Sequence, residues 1–230
     1  MKNRKTTILL TLSVFIVFFL CIPAVAQTLD SDNDGVPDEV EDAIPSFFGT
    51  KHSSLPYVAT FPSSDGRYMT LYTGDLVGLP GLELRNVAAV DTPDGNPLST
   101  QAVQAVPFGF ISFDLVGTEA YSADQEYFTF PVTLILHEYF AADLTDVDLV
   151  RYGSDQCPYD FSNAGYYLSD NSVGIFTGVG TFVNILLTDG QPGNPECPPT
   201  GTIPFIGAPV IASLVDIDED GVLVFEDNCP

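Results

Sequence analysis

Positive charge is scarce in this chain. Seven lysines and arginines stand against 31 aspartates and glutamates in 230 residues, and three of the seven, Lys2, Arg4 and Lys5, precede the apolar stretch 8–22. Nucleic acid and anionic membrane surfaces are held by Lys and Arg, so both are excluded as expected partners. Histidine is equally thin, with His52 and His137 alone. His137-Glu138 has Ala141 where a zinc protease helix carries its second histidine, which removes that chemistry. A G-x-S-x-G elbow, a phosphate-binding glycine loop and a Cys/His zinc spacing are also missing. No second apolar run reaches the roughly 20 residues that a membrane helix needs.

What is present begins with an export signal. The basic start, the apolar stretch and Ala24-Val25-Ala26 before Gln27 have the order of a secretory signal peptide, 1–26, cleaved after Ala26. An uncleaved single span is the alternative. Leu20 before Cys21 is too large for a lipoprotein signal. Cleavage leaves four basic residues against 31 acidic ones, a net charge of −27, so cations are the natural counterpart. Scattered carboxylates simply solvate the surface or suit a salty habitat. Cys157, Cys197 and Cys229 remain, and an exported chain meets an oxidising compartment. Cys157 and Cys197, both in Pro-containing polar segments of one domain, are the expected disulfide. Cys229, the penultimate residue, then points to a partner beyond Pro230.

From 49 to 214 the chain reads as an all-β domain, an antiparallel β-sandwich of Ig-like or jelly-roll-like kind. Short apolar segments are punctuated by Gly, Pro, Asn and Asp, and the 3.6-residue period of an amphipathic helix is missing. The expected strands are nine: 57–61, 68–72, 82–90, 110–117, 128–138, 147–152, 173–176, 182–187 and 208–212. In 110–117 Ile111, Phe113 and Leu115 alternate with Ser112 and Asp114, so one face is buried and the other wet. In 128–138 Phe128, Phe130, Val132, Leu134 and Leu136 take one side and Thr129, Thr133 and His137 the other, with His137 expected at the strand surface, and Pro131 predicts an edge strand or a bulge.

The segment 30–41, DSDNDGVPDEVE, places carboxylates at positions 1, 3, 5, 9 and 12 of a twelve-residue loop with glycine at position 6. This is the EF-hand ligand pattern. Calcium takes 6 to 8 oxygens: Asp30, Asp32 and Asp34 would converge from alternate positions, Gly35 would permit the turn, and Val36 would lend its carbonyl. Asp38 would act directly or through water, and Glu41 would close the site. Gln27-Thr28-Leu29 leaves no room for an entering helix and Pro37 follows the turn, so flanking helices are not expected. The segment resembles a thrombospondin type 3 repeat. The last residues, DIDEDGVLVFEDNCP, resemble the same repeat. Asp216, Asp218, Asp220, Val222 and Asp227 would form its second calcium site, weaker because Val224 stands at position 9. The two calcium-binding segments are 27–48 and 215–230.

The middle, LPYVATFPSSDGRYMTLYTG, LRNVAAVDTP, FGFISFDLVG, LVRYGSDQCPYDFS and FVNILLTDGQPGN, resembles the choice-of-anchor U domain of bacterial surface proteins. It departs in having no tryptophan and in carrying Gln191-Pro192-Gly193-Asn194 where the family has an Asp-rich loop end. The resemblance implies a surface module at the bacterial envelope. The expected function is accordingly non-catalytic: a secreted or cell-surface calcium-binding module, structural or adhesive, meeting cell-surface proteins or glycans. The alternative is a carbohydrate-binding or carbohydrate-active domain, motivated by Tyr152, Tyr159, Phe161, Tyr166 and Tyr167 near Cys157, since aromatic rings bind sugars and proteins. Packing in the sandwich is the competing account of those rings.

Overall fold

The computed structural model describes residues 29–31, 33, 35–43, 55–93, 100–122, 128–153, 165–168, 171–176, 178–189 and 200–215. Among the described residues ten strands, one more than expected, form two five-stranded antiparallel sheets. The first sheet takes β1 (Val58–Pro62), β2 (Tyr68–Tyr72), β5 (Thr129–His137), β9 (Gly180–Thr188) and β8 (Asn171–Phe176), in that spatial order. The second takes β3 (Glu83–Val90), β4 (Phe110–Val116), β10 (Thr202–Ile211), β6 (Val147–Gly153) and β7 (Gly165–Leu168). The β1–β2 hairpin forms because Gly66 takes a φ of 86°, which other residues resist. Its amide closes on the Ser63 carbonyl at 3.0 Å.

The alternation seen in the sequence holds in β4, where Ile111, Phe113 and Leu115 enter the core between the sheets. Met69 and Leu71 of β2, Phe130, Val132, Leu134 and Leu136 of β5, and Ile203 and Phe205 of β10 meet them there. The Phe113 and Phe205 rings stack with centroids 4.8 Å apart. Each such fully buried side chain contributes about 2–3 kcal/mol of burial. Both outer faces are covered in part as well. The helix α2 (Thr100–Ala105) brings Ala102 and Ala105 onto Phe110, Val150, Ala208 and Val210 of the second sheet. On the first sheet Tyr72, Ile135 and Val179 gather with Val58, Val77 and Phe182. A covered outer face explains why β5 reads almost continuously apolar.

Two expectations are corrected here. Pro131 is neither on an edge strand nor in a bulge, because β5 lies in the middle of its sheet. The ladder to β2 covers only Thr133 to Leu136 of β5, so Pro131 lies beyond the end of β2, and its carbonyl accepts from Thr73 Oγ1 at 3.0 Å. Its nitrogen, which has no proton, faces the same unladdered side. His137 is not on a wet face. It is 4 % exposed, with Nε2 2.8 Å from Thr70 Oγ1, which in turn lies 2.8 Å from Thr60 Oγ1.

Candidate metal centre

The Asp-rich loop closes on itself through its backbone before any side chain acts. The Asp38 amide donates to the Leu29 carbonyl at 2.7 Å. The Asp38 carboxylate accepts from the Ser31 amide at 2.7 Å and the Ser31 hydroxyl at 2.6 Å. Asn33 and Gly35 take positive φ angles of 58° and 94°, a conformation that Asn tolerates and Gly adopts freely. They curl the loop so that the Gly35 amide donates to Asp30 Oδ2 at 3.1 Å.

A helix does follow the loop, contrary to expectation: α1 (Asp38–Ala43). Pro37 promotes it, because a proline at the start of a helix lacks only an amide proton that would have no helical partner. The Pro37 carbonyl accepts from the Val40 amide at 2.8 Å. Asp38, Glu39 and Glu41 fill the first turn, where the helix dipole favours negative charge. That turn also brings Glu41 inward, to 5 % exposure.

Of the first ligand set, Asp30, Val36, Asp38 and Glu41 are described, whereas Asp32 and Asp34 lie outside the described residues. Asp216, Asp218, Asp220, Val222 and Asp227 of the second set lie outside them too, as do Cys157, Cys197 and Cys229. Among the described residues no three His, Cys, Asp or Glu side chains gather closely enough to hold a metal ion. One atom nevertheless tests the fit. Asp30 Oδ1 is buried and has no hydrogen-bond partner, although an unpaired buried acceptor costs about 1–3 kcal/mol, and more when charged. A cation would satisfy this oxygen. Asp30 at position 1 and Glu41 at position 12 are carboxylates from the two ends of the loop, the hard oxygen donors that calcium prefers.

The loop is also docked on the sandwich. Tyr68 of β2 donates its hydroxyl to the Gly35 carbonyl at 3.3 Å, across 33 residues of sequence, and Val36 is 4 % exposed. No sequence signal marks this contact, since Tyr68 reads as an ordinary strand residue.

The other features singled out in the sequence serve packing where they are described. Tyr152 and Tyr166 lie with ring centroids 5.0 Å apart, and Tyr166 lies 5.8 Å from Phe110. Tyr159 and Phe161 are outside the described residues, and Tyr167 contributes its backbone to β7. Asp189 belongs to no site motif that the sequence singles out. Its buried carboxylate accepts from the Gly201 amide at 2.8 Å, the Thr200 amide at 2.9 Å and the Thr118 hydroxyl. It thereby fastens the end of β9 to the segments after β4 and before β10. An Asp-Gly pair at a strand end was its only trace. In the β1–β2 turn burial raises the Asp65 pKa, but hydrogen bonds from Arg67 and Ser63 outweigh this and hold the carboxyl below its usual range. The Arg67 guanidinium lies 4.0 Å from the Phe108 ring centre.

No family model, curated protein or solved structure matches the chain.

Proposed function

We propose that the chain is an exported, non-catalytic calcium-binding module of the bacterial cell surface. In this reading its sandwich, similar to the choice-of-anchor U domain, stands between two thrombospondin type 3-like calcium segments in a structural or adhesive role. The observation that carries the calcium reading is Asp30 Oδ1, a buried carboxylate oxygen without a hydrogen-bond partner at the first position of a twelve-residue EF-hand spacing. Asp30, Asp32, Asp34, the Val36 carbonyl and Glu41 would hold the ion. Asp38, whose two oxygens already close the loop onto Ser31, would contribute chiefly through water. Bound calcium would supply the positive charge that a loop of six carboxylates otherwise lacks.

The export signal and the oxidising compartment it implies support the extracellular setting, where calcium modules bind with dissociation constants of about 10⁻⁴ to 10⁻³ M. A tenfold excess of calcium over that value adds roughly 1.4 kcal/mol to folded-state stability. Titration calorimetry on residues 27–230 is expected to show binding in this range, with the tighter site lost in Asp30→Ala. Absence of any calcium heat at millimolar concentrations sinks the proposal.

A further inference from the structure

The geometry points to a clamp: we propose that calcium in the 30–41 loop acts on the whole sandwich through Tyr68, which ties the loop to the first sheet. This inference rests on the calcium reading above, and its test separates the two. Met69 and Leu71 point into the core, so Tyr68, Thr70 and Tyr72 occupy the opposite, outer face of β2. From there the Tyr68 hydroxyl reaches the Gly35 carbonyl. Gly35 is held from both sides, because its amide donates to Asp30 Oδ2. The residue is thus a two-way joint between a ligand carboxylate and a strand of the sheet.

Its neighbour Val36, which would offer the position-7 carbonyl, is buried at 4 % exposure, and Glu41 at 5 %. β2 pairs with β1 on one side and β5 on the other. An ion joining Asp30 to Glu41 would fix α1 against the loop, and Tyr68 fixes the loop against β2. A ligand stabilises only the unit whose unfolding releases it. A freely tethered loop would leave the melting of the sandwich unchanged by calcium, whereas a docked loop raises it. Tyr68 is a positioning residue here, because it touches the loop backbone and not the ion.

The test uses residues 27–230 with the second loop silenced by Asp218→Ala and Asp220→Ala. Terbium serves as the luminescent substitute for calcium. The chain has no tryptophan, so tyrosine is the main sensitiser of terbium emission. Tyr68→Phe is expected to lower that emission severalfold and to halve or abolish the calcium-induced rise in Tm of the β-sheet circular dichroism signal, while calorimetry still finds calcium bound. Equal emission and an equal Tm rise in the two chains overturn the clamp and leave the calcium reading standing. No metal bound by the parent chain overturns both. Should Tyr68→Phe fold poorly, hydrogen exchange on the parent chain decides: calcium must slow exchange at residues 68–72, and slowing confined to 29–43 overturns the clamp.

Discussion

At the scale of single residues, His137 has the clearest measurable consequence. Its burial lowers its pKa to about 4, against about 6.5 for an unfolded histidine. The folded state therefore favours the neutral ring. Stability is complete above the unfolded value and is lost as pH falls from about 6.5 towards about 4, by about 3 kcal/mol in all. Between pH 7 and pH 5, in EDTA, urea unfolding is expected to show a loss of about 2 kcal/mol that disappears in His137→Gln. The same slope in both chains overturns the assignment. The sequence showed His137 alternating with core residues on β5, and alternation alone places a residue on one of two faces. It does not reveal whether the outer face is itself covered.

Among the elements, what was legible depended on how local the cause is. β1, β2 and β4 follow from alternation and turn residues within a few positions. β10 was half hidden, because Pro204 and Pro209 interrupt its apolar run. Each proline sits where β10 has one ladder only, β4 pairing through Gly207 and β6 from Gly207 onwards. β7 was read as a tyrosine concentration because its four residues are too few to show a period. α1 and α2, with six residues each, are likewise too short for a helical repeat. The acidic spacing from which the candidate metal centre is argued is local, written in twelve consecutive residues. The docking of the loop was not legible, since Tyr68 is remote in sequence. The β5–β9 ladder makes an element-level prediction through Gly180, which pairs with His137. A Cβ there would strike the Leu136 carbonyl and the His137 backbone, atoms that cannot move without parting the strands. Gly180→Ala is expected to cost about 3 kcal/mol or more by urea unfolding. Gly178→Ala, with open space around the added carbon and only a φ of +80° to resist it, should cost about 1 kcal/mol. Equal costs would show that the ladder is not closed at that end.

For the molecule as a whole, charge is the dominant long-range term. Arg67 and Arg85 pair with Asp65 and Glu83, each only two residues away, so these cations answer local acids and leave the distant excess in place. A chain with a net charge of −24 repels itself, and salt relieves this by shortening the screening length from about 30 Å at 0.01 M to about 8 Å at 0.15 M. Sodium chloride is expected to raise Tm in EDTA over that range equally in the parent and in Asp30→Ala, because general screening does not use the loop. A falling Tm overturns the self-repulsion account. The strand order carries a consequence of another kind, for the timing of folding. β3 with β4 and β6 with β7 are adjacent pairs that can form as they emerge, yet β10 lies between the two pairs and is the last of the described strands. The second sheet is therefore completed only when residue 211 is free of the ribosome. Until then its two halves wait unjoined, whereas the first sheet, whose strands all precede β10, can already be complete.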